Sequence, residues 1–174
     1  MNANAIAAMP VELAEVAEHP FLRGLSDSHL TTLASVAMRL HFAPGDVIFR
    51  QGDPANRFYL LIKGKISLSA DHEESSVLVQ TIGAGEVLGW SWLFPPYYTH
   101  YEARAIKPTE AMFFYATRLR ELCDEDHDLG YELLRRVSQI VVERLHAAQL
   151  QLIHLHGHTA REFATAEKFN PEDL

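Results

Sequence analysis

Glycines punctuate the middle of the chain at short intervals, and their spacing constrains the fold more than any other feature. Six of the nine glycines lie between Gly45 and Gly89, and short runs of β-branched and aromatic residues alternate with them. Such runs, bounded by turn residues, are typical of short strands joined by tight turns. The flanking stretches are rich in Leu, Ala, Glu and Arg, which favour helices. The sequence therefore predicts helices, then a sheet region, then helices.

The sheet region is predicted to form one barrel. It holds roughly seven or eight short runs separated by turn residues, which is typical of small sandwiches and jelly-roll barrels. Residues 66–69 alternate apolar and polar side chains, as a half-buried strand does. We predict an α+β, mainly β fold: a jelly-roll (double-stranded β-helix) barrel flanked by N-terminal helices and a long C-terminal dimerisation helix. The predicted divisions are an N-terminal helical segment over 1–20, the barrel with its flanking short helices over 21–127, the long helix over 128–156 and a tail over 157–174.

Two short helices are predicted before the barrel. Apolar residues recur at helical spacing between residues 11 and 40, and Pro20 and Gly24 interrupt the pattern. Ser26 or Asp27 supplies the side-chain oxygen that caps the second helix.

Apolar residues repeat with heptad spacing from residue 128 to 155, which is typical of a coiled coil. A heptad sustained over this length usually has a helical partner, so we predict a homodimer, with Gly157 as the helix stop. The alternative is that this stripe packs on the barrel of its own chain. The predicted dimer interface consists of Leu134, Val141, Leu145, Ala148 and Leu152.

The composition argues against several classes of protein. The 15 basic and 23 acidic residues give a formal net charge of −8, so no overall field attracts DNA. The single cysteine, Cys123, cannot form an internal disulfide or supply an iron–sulfur cluster. No apolar run approaches the roughly 20 residues that a membrane helix needs, and residues 1–9 do not resemble a signal peptide. We therefore expect a cytoplasmic domain without membrane or direct DNA binding.

Catalytic and metal-binding patterns are also lacking in the sequence. No Ser-His-Asp order, paired catalytic carboxylates or Walker loop stands in a fitting context, so we expect no enzyme. His154, His156 and His158 are interpreted as a solvated helix end rather than a metal site, because residues two apart on a helix face away from each other. No axial-ligand motif for haem is visible.

Four motifs follow one another in a specific order: FAPGDVIF at 42–49, QGD at 51–53, FYLLIKGKI at 58–66 and GAGEVLG at 83–89. In this order and spacing they resemble the cyclic-nucleotide-binding domain family. This family includes the sensor module of catabolite-activator (Crp/Fnr-type) bacterial regulators and of cyclic-nucleotide-dependent kinases and channels. The resemblance covers about residues 21–155. It implies a regulatory sensor whose ligand is a cyclic nucleotide, cAMP or cGMP.

A phosphate-binding cassette is the candidate functional element. A cyclic phosphate carries one negative charge and can be held by the first amides of a short helix that a glycine allows it to approach, and Gly89 followed by residues 90–94 fits this arrangement. The resemblance implies, in addition, a glutamate directly after this glycine for the ribose and a later arginine for the phosphate. Trp90 and Thr99 occupy those two positions here, and Arg104 falls in the following strand. The candidate ligand-binding residues are Gly89, Trp90, Ser91, Trp92, Thr99, His100 and Tyr101.

Six aromatic residues lie between positions 90 and 101, and three interpretations of them are open. In the first, Trp90 and its neighbours fill the former phosphate pocket as part of the core. In the second, backbone amides with Ser91, Thr99 and His100 hold an anion or nucleotide, and an aromatic ring stacks on its base. In the third, an exposed aromatic patch docks a protein partner. A protonated His100 would supply positive charge, so binding through it should strengthen at acidic pH.

Two hypotheses for the function follow. The first is a non-catalytic regulatory or sensor module that binds a cyclic nucleotide or similar small anion in a modified, aromatic-rich cassette. The alternative is a degenerate domain that binds no nucleotide and acts in dimerisation and protein–protein interaction. Residues 158–174 are too few for the helix-turn-helix domain that follows the long helix in transcription factors of this family, which also argues against DNA binding.

Overall fold

The computed structural model describes residues 9–72 and 75–166. Before the barrel it contains a short strand β1 (Met9–Pro10), helix α1 (Leu13–Glu18), a 3-10 turn (Pro20–Leu22) and helix α2 (Asp27–Ala34). The hydroxyl of Ser26 accepts a hydrogen bond from the backbone N–H of His29 at 3.2 Å. This confirms Ser26 as the helix cap.

Nine strands form two antiparallel sheets, counting only the described residues. The remaining strands are β2 (Met38–Phe42), β3 (Val47–Phe49), β4 (Arg57–Lys63), β5 (Lys65–His72), β6 (Ser75–Gly83), β7 (Val87–Leu88), β8 (Glu102–Ala105) and β9 (Thr109–Tyr115). One sheet has the order β1-β2-β9-β4-β7 and the other has the order β3-β8-β5-β6. The predicted α+β jelly-roll sandwich is confirmed.

Strand β4 is buried on both of its faces. Tyr59 and Leu61 point into the barrel core, while Phe58 and Leu60 point to the opposite face because successive side chains of a strand alternate. On that opposite face the ring of Phe21 lies 5.4 Å from the ring of Phe58. The five-stranded sheet is therefore covered by the N-terminal segment as well as by the facing sheet. The barrel core consists of Leu40, Tyr59, Leu61, Ile66, Leu68, Ile82, Leu88, Ala103, Ala111 and Phe113.

Two helices follow the barrel, α3 (Ala116–Glu125) and α4 (His127–Ala166). Asp126 starts α4, because its Oδ1 accepts hydrogen bonds from the backbone N–H groups of Asp128 and Leu129 at 3.0 and 3.1 Å. Leu129, Leu133 and Val137, spaced four residues apart along α4, are buried.

Helix α4 continues past Gly157 to Ala166, so the predicted stop at Gly157 was wrong. A single glycine within a helix costs only about 1 kcal/mol relative to alanine, and the following residues 159–166 contain three alanines. By its internal contacts the chain divides into two compact units, Met1–Leu134 and Arg135–Leu174. The first unit contains the barrel with its helices, and the second contains the rest of α4.

The heptad residues of α4 differ in their exposure. Leu134, Leu145 and Leu152 are exposed, as is Ala148, while Val141 is half-buried. The homodimer through these residues stays a prediction. Among the described helices, none combines the length and apolar character needed to cross a bilayer.

Candidate functional site

The cassette between β7 and β8 begins at a glycine that its surroundings require. Gly89 has a φ of 82°, in the left-handed region, and a Cβ atom at this position would lie 2.8 Å from the carbonyl oxygen of Arg57. A side chain would therefore be both strained and in collision with the backbone of β4. A single 3-10 turn, Trp90–Leu93, follows directly. Close approach of this turn to β4 is thus possible only with glycine.

Trp92 anchors the 3-10 turn in the protein core. Its side chain is fully buried, and its ring lies 5.9 Å from that of Phe58. Tyr59 points into the barrel, and Phe58 points to the opposite face of β4, which the N-terminal segment covers. Because Trp92 packs on Phe58, it lies on that outer face of the sheet and not inside the barrel. Arg120 of α3 supports the same turn, since its Nη1 donates a hydrogen bond to the carbonyl oxygen of Trp92 at 3.0 Å. Trp92 therefore stabilises the cassette without filling the barrel.

Thr99 fastens the other end of the cassette. Its hydroxyl donates to the carbonyl oxygen of Arg50 at 2.5 Å and lies 3.2 Å from that of Asp53. Its backbone N–H also donates to the Asp53 carbonyl at 2.9 Å, and its carbonyl accepts from the N–H of Gly52 at 2.8 Å. Thr99 is buried, and the proton of its hydroxyl is used within the protein. Its side chain therefore ties the cassette to the turn after β3.

The other candidate residues lie at the two ends of the cassette. Trp90 and Ser91 are half-buried, and the ring of Trp90 meets the ring of Phe94 edge-on at 6.1 Å. His100 is exposed, whereas Tyr101 is half-buried and packs against the barrel core. The structure therefore leaves five candidate positions at or near the surface: Gly89, Trp90 and Ser91 at one end of the cassette, and His100 and Tyr101 at the other.

Arg57 is a residue of this region that the sequence analysis did not select. It lies on the same face of β4 as Tyr59, and its guanidinium carbon is 5.3 Å from the ring centre of Phe113 and 5.7 Å from that of Tyr115. Burial raises the pKa of Tyr59, and the positive charge of Arg57 partly offsets this increase. Among the described residues, Arg57 forms no ion pair with a carboxylate. The alternation of β4 could have revealed it, since Arg57 stands two residues before Tyr59.

Arg104 has a different environment. It lies in β8, as predicted, and its guanidinium forms an ion pair with Glu102 at 2.6 Å. Its Nη1 also donates to the carbonyl oxygen of Gly45 at 2.9 Å. The charge of Arg104 is therefore paired with a carboxylate, whereas that of Arg57 lies against the rings of Phe113 and Tyr115 and its side chain hydrogen-bonds Tyr59.

An exposed aromatic patch forms the outer part of the cassette. Phe94, Tyr97 and Tyr98 are all exposed. Tyr97 has a φ of 62°, and the guanidinium carbon of Arg120 lies 4.9 Å from its ring centre. Both a cation–π contact and the hydrogen bond to Trp92 thus connect Arg120 to the cassette.

Metal-binding side chains do not cluster within the described residues. His154 is exposed, and its Nδ1 lies 2.8 Å from the carbonyl oxygen of Leu150. The side chains of His156 and His158 fall outside the described residues.

These observations define a jelly-roll barrel in which a glycine-led turn packs closely against strand β4. A comparison with family models identifies the family of this barrel: the model of the cyclic nucleotide-binding domain matches residues 39–126, about half of the chain. The chain belongs to the cyclic nucleotide-binding domain family. Domains of this family are typically regulatory and non-catalytic.

Known proteins share this domain with the chain over limited stretches. The regulatory subunit of a cAMP-dependent protein kinase from Dictyostelium discoideum is 36% identical over 62 residues, which are 33% of this chain and 19% of the subunit. The chain thus spans less than a fifth of this curated relative.

Solved structures agree with the family assignment over most of the chain. A candidate cyclic nucleotide-binding protein from Geobacter metallireducens GS-15 is similar with a TM-score of 0.70 and 29% identity, covering 78% of this chain and 98% of that one. The catabolite activator protein of Thermus thermophilus is similar with a TM-score of 0.64 and 24% identity, covering 79% of this chain and 63% of that one. The second likeness concerns the fold alone.

Proposed function

We propose that this chain is a regulatory domain that binds a small anionic ligand, in the first place a cyclic nucleotide, between the cassette and Arg57. The observation that carries the proposal is the position of Arg57: its backbone carbonyl lies against Gly89, and its exposed side chain lies against the rings of Phe113 and Tyr115 without a carboxylate partner among the described residues. A guanidinium group can donate two parallel hydrogen bonds to a phosphate. Arg57 would therefore supply the charge that Trp90 and Thr99 do not.

The cassette residues have separate roles in this proposal. Gly89 allows the ligand to approach the backbone, and the hydroxyl of Ser91 adds a polar contact. Exposed His100 lies at the other end of the cassette, where its ring can contact the ligand. Trp92 and Thr99, which are buried and engaged within the protein, position the cassette rather than touch the ligand.

Thermal unfolding with a panel of ligands tests this proposal. The panel contains cAMP, cGMP and cyclic dinucleotides, with adenosine and guanosine as controls that lack the phosphate. A ligand at 100 times its Kd stabilises the native state by about 2.7 kcal/mol, which should raise Tm by several degrees. We expect at least one cyclic nucleotide to do so and the nucleosides to have a much smaller effect. No shift with any cyclic nucleotide would contradict the proposal.

A matched pair of variants locates the site within the same experiment. Ser91→Glu places a negative charge in the cassette and should abolish the shift. Ser76→Glu adds the same charge at an exposed position on β6 and should leave the shift unchanged. Equal shifts in both variants would remove Ser91 and its surroundings from the site.

A second candidate function is protein binding without any nucleotide. The exposed side chains of Phe94, Tyr97 and Tyr98 favour it, because aromatic residues are enriched in protein interfaces. A panel without any effective ligand would support this function over the first.

We also propose that the chain forms a homodimer through α4. The exposed Leu134, Leu145 and Leu152 fall in the heptad pattern, and a second copy offers a helix with the same spacing. Leu145→Asp should convert the dimer to a monomer in sedimentation equilibrium. Ala147→Asp, an exposed control on the face of the same helix that points away from the predicted interface, should retain the dimer mass. An unchanged mass in both variants would refute the α4 interface.

A further inference from the structure

Two arginines of α3 use their charges differently. Arg118 pairs with Glu121 and Glu125 of its own helix, at 3.0 and 3.3 Å. Arg120, two residues further along, is half-buried and forms no ion pair with a carboxylate among the described residues. Its guanidinium contacts the cassette at two places, both distant in sequence. Arg120 therefore interacts with the cassette and not with an acidic neighbour on its own helix.

The first of these places is the end of the 3-10 turn. The last carbonyl groups of a helix lack a partner within the helix, and a cationic side chain can supply one. Nη1 of Arg120 donates to the carbonyl oxygen of Trp92 at 3.0 Å. The buried indole N–H of Trp92 has no hydrogen-bond partner among the described residues, so its ring is held by packing. The hydrogen bond from Arg120 therefore fixes this end of the turn through its backbone.

The second place is Tyr97, whose backbone is strained. Its φ of 62° lies in the left-handed region, which bulky residues rarely adopt. Its N–H donates to the carbonyl oxygen of Phe94 at 3.0 Å, and its carbonyl accepts from the N–H of Ala55 at 2.7 Å. The guanidinium carbon of Arg120 lies 4.9 Å from the centre of its ring, so a cation–π contact holds the side chain as well. A conformation of this kind persists only where the surrounding contacts determine it.

We propose that Arg120 is a positioning residue for the ligand site: by holding Trp92 and Tyr97 at the same time, it fixes the cassette conformation on which ligand affinity depends. Arg120 itself does not touch the ligand. Ser91, whose hydroxyl is the proposed polar contact, directly precedes Trp92, so a turn that loosens at Trp92 also displaces Ser91. The effect of Arg120 on affinity rests on the proposed function, whereas its effect on the order of the cassette does not.

Amide hydrogen exchange without any ligand tests the order of the cassette. We expect Arg120→Met to accelerate exchange at the N–H groups of Phe94 and Tyr97 by about tenfold or more, which corresponds to the loss of a charged hydrogen bond. The N–H of Leu61, a buried residue of β4, should exchange at the wild-type rate. Arg118→Met, the control on the same helix, should change none of the three rates. Unchanged exchange at Phe94 and Tyr97 in Arg120→Met, or an equal acceleration at Leu61, would overturn the proposal.

A double-mutant cycle tests whether Arg120 acts through the ring of Tyr97. Tyr97→Phe keeps the ring and should retain the wild-type exchange at Phe94, whereas Tyr97→Leu should accelerate it. Tyr97→Leu combined with Arg120→Met should accelerate exchange by less than the product of the two single effects, because both variants remove the same contact. Single effects that multiply in the combined variant would contradict a role of this contact.

Calorimetric titration of cAMP and of cGMP tests the effect on the ligand site. We expect Arg120→Met to bind about fivefold or more weakly than Arg118→Met, which should match the wild type. Arg120→Lys keeps the charge but not the planar group, so its affinity should lie between these values. Equal affinity of Arg120→Met and the wild type would overturn the effect of Arg120 on the site. Binding by none of the chains would instead contradict the proposed function, and the exchange rates at Phe94 and Tyr97 would still decide whether Arg120 orders the cassette.

Discussion

The imidazole of His19 joins the segment between α1 and the following turn to the barrel through the backbone of Leu61. Its Nε2 lies 3.1 Å from the carbonyl oxygen of Leu61, and its Nδ1 accepts a hydrogen bond from the N–H of Phe21 at 3.2 Å. These two bonds require the neutral ring with its proton on Nε2. Protonation of Nδ1 would remove the acceptor and place a charge in a buried site. The contact between the N-terminal segment and β4 therefore depends on the neutral form of His19.

Stability should decrease in mild acid because of His19. Burial lowers the pKa of His19 below the ordinary value of 6.5. As the pH falls through 6.5, the unfolded chain therefore takes up a proton that the native state still resists, and the free energy of unfolding decreases until the folded pKa is passed. Above pH 6.5 this contribution is constant. Tm should therefore fall as the pH is lowered below 6.5.

The variant His19→Gln tests whether His19 causes this pH dependence of Tm. Its Tm should depend less on pH over the same range, even if Tm is lower throughout. His146→Gln removes an exposed histidine on α4 and should retain the wild-type slope. Equal slopes in all three chains would show that other groups cause the acid sensitivity.

Gly89→Ala should destabilise the protein more than Gly52→Ala. Both glycines have a φ of 82°, so an alanine at either position carries the same left-handed strain, about 1–2 kcal/mol. A Cβ at Gly52 meets nothing within 4 Å, whereas one at Gly89 lies 2.8 Å from the carbonyl oxygen of Arg57. The difference between the two variants in urea unfolding therefore measures how firmly β4 holds the cassette. Equal losses of stability would mean that the cassette yields freely.

Thr99→Val should lower the free energy of unfolding by about 1 kcal/mol, the usual net value of a hydrogen bond. The substitution preserves the shape of the side chain and removes only the hydroxyl that reaches the carbonyl of Arg50. Thr31→Val is the control, because the hydroxyl of Thr31 bonds to its own exposed helix at the carbonyl of Asp27. A Thr31→Val effect as large as that of Thr99→Val would argue against a special role of the Arg50 contact.

Cys123 should react slowly with thiol reagents in the native protein. Burial, assisted by the nearby carboxylates of Asp124 and Asp126, raises the pKa of this thiol to about 11. At pH 8 only about a thousandth of it is thus the reactive thiolate. Reaction with a chromogenic disulfide should accelerate strongly when the chain is unfolded in urea. Equal rates in the native and unfolded chains would contradict the shielding of this half-buried thiol.

The sequence was sufficient for the local architecture of the barrel. Turn glycines such as Gly64 and Gly89 mark strand ends, and their conformations are among the left-handed ones that only glycine adopts readily. The cap at Ser26 was also predictable, because capping depends on residues close in the chain. Helix α3 and strand β2 were not identified, since neither has a distinctive local pattern and tertiary contacts decide them.

The roles of the site residues depend on which face of the sheet each one occupies. One of the three interpretations of the aromatic residues placed Trp90 and its neighbours in the core. In the structure Trp92 is the fully buried tryptophan, on the Phe58 side of β4, and Trp90 is half-buried. Arg57 was not selected because its contacts are with residues distant in sequence: Phe113 and Tyr115 of β9, and Gly89 at the start of the cassette. The end of α4 was placed too early because Gly157 alone does not outweigh the helix-forming residues after it.

Arg57 is the residue on which the proposed ligand binding depends most directly, and a calorimetric titration of cyclic nucleotides into matched variants tests its role. Arg57→Gln removes a charge that has no carboxylate partner among the described residues, whereas Arg104→Gln removes an equal charge that is paired with Glu102. We expect the wild-type and Arg104→Gln chains to bind the same cyclic nucleotide with similar Kd, and Arg57→Gln to bind at least about tenfold more weakly, the loss typical of a charged hydrogen bond. Equal affinity of the Arg57→Gln chain, or no binding by the wild type, would contradict the proposed site.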